Sequence, residues 1–182
     1  MVIAAKNSGI KRFIYASTSS VYGVSEKKNV TEDHPLIPLT LYNKYKGMCE
    51  PLLFKHTNEN FTGIIFRPAT VCGYAPRLRL DLSVNILTNH AITNKEIKVF
   101  GGDQLRPNVH IEDMVDSYIA VINADADKIN GEIFNVGFKN QTVNELATDV
   151  KSVIGNDVKI TNTKTNDNRS YHVSSQKIKD VL

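Results

Sequence analysis

The chain has 182 residues, 41% hydrophobic and 23% charged, which is enough for one sizeable core and too apolar for a disordered chain. Two cysteines, Cys49 and Cys72, do not make a disulfide scaffold of this length, and a net charge of +3 is too mild to indicate a nucleic-acid partner. No apolar run approaches the ~20 residues of a membrane span and no secretory leader opens the sequence, so a cytoplasmic protein with reduced thiols and no membrane partner is expected.

Residues 1–8 read as the tail of a helix, stopped by Asn7-Ser8-Gly9, with nothing ahead of Met1 to cap it. Such a start is expected of a chain joined in mid-element. Phe13-Ile14-Tyr15-Ala16 is a short continuous apolar run, as in a strand buried on both faces. Four hydroxyl residues follow, Ser17 to Ser20, and a proline-containing polar loop leads to a helix. In it Leu41, Tyr45, Met48, Cys49, Leu52 and Leu53 recur at helical spacing and predict a buried stripe, with Pro51 expected to kink or interrupt it. Phe61 to Phe66 reads as a second buried strand, 81–93 as a helix, Ile97 to Phe100 as a short strand, Asp113 to Ile122 as a helix and Glu132 to Val136 as a strand. Thr142 and Glu145 fit a capping box, and Val143, Leu146, Ala147, Val150, Val153 and Ile154 form an amphipathic helix behind it. Val158 to Thr161 suits an edge strand, Thr161 to Asn168 a surface loop, and 175–182 a final helix. Strands alternating with helices predict an α/β fold with a mostly parallel sheet.

Tyr42 and Lys46 stand four residues apart on the second helix, which puts them on one face with Cβ atoms about 5–6 Å apart. An ammonium beside a phenol favours the phenolate, and such a tyrosine can take a proton from a secondary alcohol while hydride leaves the carbon. A hydroxyl from the strand end, within Ser17 to Ser20, can hold the substrate oxygen. Thr18 to Ser20 also suit a plain polar turn. Arg77 and Arg79 suit either a diphosphate contact or a basic surface turn, and His110 suits a structural histidine hydrogen-bonded in the core. Asp113 suits a charge complementing a helix N-terminus. His34, His56, His90 and His172 are scattered without metal-ligand spacing, so no metal is expected.

Five segments, in this order, resemble the extended short-chain dehydrogenase/reductases, the NAD-dependent epimerase/dehydratase family acting on nucleotide sugars. They are Phe13 to Gly23, Tyr42-Asn43-Lys44-Tyr45-Lys46, Arg67-Pro68-Ala69-Thr70-Val71-Cys72-Gly73, Arg106 to Asp113, and Phe134-Asn135-Val136-Gly137. The resemblance implies the C-terminal part of a Rossmann-like doubly wound parallel sheet plus a smaller α/β substrate-binding lobe. Residues 1–73 would be the second half of the cofactor-binding domain and 74–182 mostly the lobe, with 108–137 returning to the sheet. It implies Tyr42 as general base or acid, Lys46 as its ribose-binding partner, and Thr18 on the reacting oxygen. Ser17 and Pro68 would line the nicotinamide. Ser19, Ser20, Thr70, Asn85, Arg106 and Arg169 would lie on the nucleotide-diphosphate sugar, the arginines on its phosphates. It further implies NAD or NADP as cofactor and a homodimer paired through the first two helices.

The departures narrow the expectation. Ser19 and Ser20 occupy places that hold acids in the family's 4,6-dehydratases, which favours an epimerase or keto-reductase. Thr70 and Asn108 replace a more usual Asn and aromatic, which leaves the sugar open. The ten glycines include no cluster suited to a phosphate-binding turn, so on the order of a hundred residues of the first half-fold are expected to lie outside this sequence. Tight NAD binding and turnover by this chain alone are therefore not expected. A truncated, non-catalytic protein that keeps a nucleotide-sugar-binding lobe is the alternative.

Overall fold

The computed structural model describes residues 1–25, 27, 29–166, 170 and 172–182. The first sheet is parallel, in the order β1-β2-β6, with β1 at Arg12–Ala16, β2 at Thr62–Pro68 and β6 at Ile133–Val136. Register runs from Arg12 opposite Thr62 to Ala16 opposite Phe66, and from Ile65 opposite Ile133 to Pro68 opposite Val136. The apolar run predicted over 61–66 is the central strand, and from Thr62 to Arg67 it is buried at every position. Helix α2 (Leu41–Phe54) connects β1 to β2, and α4 (Ile111–Asn123) precedes β6. Phe66, Phe134, Ile64, Val121 and Ile129 form the core of this layer.

A second sheet, β3-β5-β7, is built from Thr70–Cys72, Leu105–His110 and Lys139–Thr142. β5 runs parallel to β3 and antiparallel to β7. A third pair, β4 (Glu96–Phe100) with β8 (Lys159–Thr163), is parallel. It packs with α3 (Ser83–Asn94) and α6 (Val143–Ile154) around Leu87, Ile97, Val99, Leu146 and Val158. Short helices α1 (Val2–Asn7), α5 (Ala126–Ile129) and α7 (Gln176–Val181) complete the α/β fold.

Several expectations are corrected. The stripe on α2 faces outward: Leu41, Tyr45, Met48, Cys49 and Leu52 are exposed, and only Leu53 of the set is buried. The inward face is Asn43, Gly47, Glu50 and Leu53, because Glu50 meets a buried arginine that no apolar count reveals. The helix runs on through Pro51. His110 is not a core residue: it caps α4, its half-exposed ring accepting from the Glu112 N–H at 3.3 Å. Residues 162 and 163, expected in a loop, extend β8 beyond Thr161, whose Oγ1 donates to Glu96 Oε1 at 3.0 Å. The capping box at Thr142 and Glu145 forms as predicted.

Candidate functional site

The C-terminal ends of β1 and β2 deliver the site, where a parallel sheet collects its ligands. Beyond Ala16 the chain turns into a short 3-10 helix, Ser19–Tyr22, capped by Thr18, whose Oγ1 accepts from the Ser20 N–H at 3.2 Å and lies 3.1 Å from Ser20 Oγ. The turn closes at Gly23, whose φ is 69° and where a Cβ would fall onto the Ile37 carbonyl oxygen. Thr40 caps α2 by accepting from the Asn43 N–H at 3.2 Å, so Tyr42 and Lys46 occupy the first turns of the helix beside this hydroxyl run.

Between them lies a cleft of about 600 Å³ lined by residues that include Ser17, Thr18, Ser19, Ser20, Tyr42, Pro68 and Thr70. That volume suits a small-molecule site, which spans about 300–1,000 Å³. Tyr42 is 60% exposed and lines the cleft. The Lys46 ammonium stands 6.0 Å from the Tyr42 ring centroid and 4.9 Å from that of Tyr15, and it donates to the Ala16 carbonyl. Ser17 is buried and its hydroxyl is committed elsewhere, donating to Glu50 Oε1 at 2.6 Å.

Other predicted residues fall outside this cleft. Asn85 belongs to an adjoining hollow of about 160 Å³, where its amide accepts from the Gly73 N–H at 3.2 Å and donates to the Arg79 carbonyl at 2.9 Å. Asn85 thus holds the loop that forms the cleft's rim. Arg79 lines both spaces and is paired with Asp81 at 3.1 and 2.7 Å. That contact raises the Arg79 pKa and lowers that of Asp81. Arg106 lies on β5, its guanidinium donating to the Leu105 carbonyl at 3.2 Å. Arg169 lies outside the described residues.

Beneath the cleft runs a buried polar network that sequence reasoning missed. Arg67, on β2, donates to Glu50 at 2.6 and 3.1 Å, to the Tyr22 hydroxyl at 2.8 Å and to the Glu32 carbonyl at 2.8 Å. Tyr22 donates in turn to Asn135 Oδ1 at 2.7 Å, and the Asn135 N–H donates to Glu32 Oε1 at 2.7 Å. Burial depresses the guanidinium, but the contacts with Glu50 and Tyr22 outweigh it and hold Arg67 above its ordinary pKa. Burial pushes the Tyr22 phenol up to about 12, against the opposing pull of Arg67. A signal was present in the sequence: an arginine at the end of a buried run needs a counter-charge. Spacing alone does not select Glu50.

Among the described residues, no three His, Cys, Asp or Glu side chains are grouped to hold a metal ion. No helix among them is long and apolar enough to cross a membrane.

Comparison with known proteins supplies the lineage. The putative UDP-arabinose 4-epimerase 2 of Arabidopsis thaliana is 27% identical over 197 residues, covering 96% of this chain and 47% of its own. The uncharacterized UDP-glucose epimerase YtcB of Bacillus subtilis is 36% identical over 138 residues, 74% of this chain and 42% of its own. This chain thus spans about half the length of the curated relatives it matches. The crystal structure of UDP-glucuronic acid 4-epimerase from Bacillus cereus in complex with NAD matches 100% of this chain and 58% of that one, with a TM-score of 0.84 and 28% identity. Residues 1–137 match the NAD dependent epimerase/dehydratase family, and to that family the chain belongs.

Proposed function

We propose that this chain is the C-terminal portion of an NAD(P)-dependent nucleotide-sugar epimerase, 4-epimerase-like, or of a 4-keto-sugar reductase. The observation that carries the reading is the meeting of Thr18, Ser20 and Tyr42 on one cleft with Pro68 and Thr70, with Lys46 one helical turn behind Tyr42. In this reading residues 1–73 serve the cofactor, together with the return at 108–137, and the rest mostly serve the sugar nucleotide.

The chemistry follows from the side chains. Tyr42 takes the proton of a sugar C4 hydroxyl, and Thr18 holds the same oxygen through the proton's departure. The Lys46 ammonium stands behind the phenol, 6.0 Å from its ring centroid, where it would also meet the cofactor's ribose. NAD, when bound, supplies the acceptor and donor of the C4 hydride. Pro68 and the Ser17 backbone would line its nicotinamide, while Arg106 and Arg169 would pair with the phosphates of the sugar nucleotide. Ser19 and Ser20 bring no ionisable acid or base, so water elimination is not part of this reading. A homodimer is part of it, through the exposed Ile3, Leu41, Tyr45, Met48 and Leu52 of α1 and α2.

One observation favours a second reading, a nucleotide-sugar-binding chain without turnover: no glycine cluster among these residues suits a pyrophosphate turn. Thermal unfolding with NAD separates the two. An enzyme gains stability by mass action, about 2.7 kcal/mol at a hundredfold excess over Kd, and its Tyr42→Phe variant keeps the fold while losing turnover. An unchanged Tm at millimolar NAD removes the catalytic reading of the isolated chain and leaves the binding one.

A further inference from the structure

Of the large apolar residues along α2, only Leu53 is buried, while Leu41, Tyr45, Met48 and Leu52 point to solvent. Apolar packing of the helix on the sheet is concentrated at its C-terminal turn, where Leu53 and Phe54 join the cluster of Phe61 and Ile65. A carboxylate meets the strand ends as well. Glu50 lies on the inward face one turn after Lys46 and two turns after Tyr42, and its side chain and that of Arg67 are each only 4% exposed. One carboxylate oxygen accepts from both Ser17 Oγ and Arg67 Nε, and the other accepts from Arg67 Nη2. This two-pronged, charge-assisted contact has a narrow geometry, and its partners are the last residue but one of β2 and the first residue beyond β1. Arg67 is itself held by Tyr22 and the Glu32 carbonyl, so the anchor does not give.

We infer that Glu50 is a positioning residue: its contact with Arg67 and Ser17 pins α2 to the ends of β1 and β2 and so sets where Tyr42 stands at the cleft and where Lys46 stands one turn behind it, against the Ala16 carbonyl. The inference rests on the assignment of Tyr42 and Lys46 to the site, but it concerns their placement rather than their chemistry. Removing Glu50 frees the helix to shift against the strand ends. Lys46, which reaches the Ala16 carbonyl and the Tyr15 ring from that helix, leaves both.

NMR of the full chain, with its lysines carrying carbon-13 at Cε, reads this directly. Proximity to the Tyr15 ring sets the Lys46 signal apart from exposed lysines such as Lys98 and Lys128, and Lys46→Arg assigns it. Glu50→Gln and Leu53→Ala each lower Tm by roughly 10 °C, the first by breaking a buried pair and the second by opening a cavity. Glu50→Gln moves the Lys46 signal into the exposed-lysine group, whereas Leu53→Ala leaves it in place. Both are recorded where the methyl signals of Ile97 and Val99 are unchanged. Arg67→Lys, which keeps the charge but loses the planar fork, moves the signal part of the way and carries the test should Glu50→Gln not fold. The inference is overturned if Lys46 stays in place in the Glu50 and Arg67 variants, or if Leu53→Ala displaces it equally. No ligand enters the measurement, so its failure is separate from failure of the proposed function.

Discussion

Replacing Tyr22 by phenylalanine removes one oxygen from a place that water does not reach. The residue is fully buried, and its hydroxyl donates to Asn135 at 2.7 Å and accepts from Arg67 at 2.8 Å. The variant strands the Asn135 carbonyl oxygen, while the Arg67 Nη1 retains the Glu32 carbonyl. With about 1.5–3 kcal/mol for the charge-assisted bond and about 0.5–1.5 for the neutral one, the loss is about 2–4.5 kcal/mol. For a domain of this size that is roughly 4–18 °C in Tm.

A pH dependence accompanies it. Burial pushes the folded Tyr22 phenol from 10.0 up to about 12, so between those values the folded chain holds a proton that the unfolded chain has lost. Stability from this source is complete below pH 10 and falls as pH rises towards 12, by about 3 kcal/mol over the window. Urea unfolding of both chains from about pH 9 to about pH 12 measures it. Tyr15 and Tyr118, also raised chiefly by burial, tilt both chains alike, so the difference between the slopes isolates Tyr22. Parallel slopes, or a phenylalanine variant as stable as the parent at neutral pH, would refute the reasoning.

On α2, Met48→Lys leaves the stability of the monomer within about 0.5 kcal/mol, whereas Leu53→Ala costs about 2–5 kcal/mol; denaturant midpoints of the chain, dilute enough to keep it monomeric, compare them, and the opposite ranking would restore the buried stripe. Gly23→Ala meets both a left-handed backbone and the Ile37 carbonyl, so a Tm loss well beyond that of an ordinary exposed glycine is expected by calorimetry. Thr142→Ala removes the cap of α6 and costs about 1 kcal/mol. The Thr142 backbone N–H and, second, its hydroxyl hold the Glu145 carboxyl below its ordinary pKa; alanine keeps the first and loses the second, so the hydroxyl's part of the parent's advantage is present at neutral pH. That advantage shrinks as acid protonates Glu145, which urea titration at two pH values checks.

How much of this was legible in the sequence differs from element to element. β1 and β2 announce themselves by short apolar runs, as strands of a parallel sheet do, but only β2 is buried along its length; β1, expected to be covered on both faces, lies at the sheet edge and is half-buried. The box at Thr142 and Glu145 is equally plain, since both its bonds are local. β3, β5 and β7 carried no comparable signal: Lys-Asn-Gln-Thr in β7 and Arg-Pro-Asn in β5 have poor strand propensity, and tertiary pairing overrides it. The extent of α2 was readable but its orientation was not. Leu41, Tyr45 and Met48 make a convincing stripe, yet the helix turns inward the face carrying Glu50, because an arginine waits there. In the candidate site, Tyr42 with Lys46 and the hydroxyl run could be placed by spacing and by resemblance. The inward turn of the Ser17 hydroxyl depends on the same ion pair and was not readable.

If the cleft between the hydroxyl turn and Tyr42 takes a nucleotide sugar, as proposed, an amide NMR titration of this chain with UDP-glucose gives saturable shifts at Thr18, Ser20, Tyr42 and Thr70, with Lys11, Arg12 and Asn58 to Asn60, at the opposite end of the strands, unmoved. Shifts confined to that opposite end, or none at all at millimolar ligand, would contradict it.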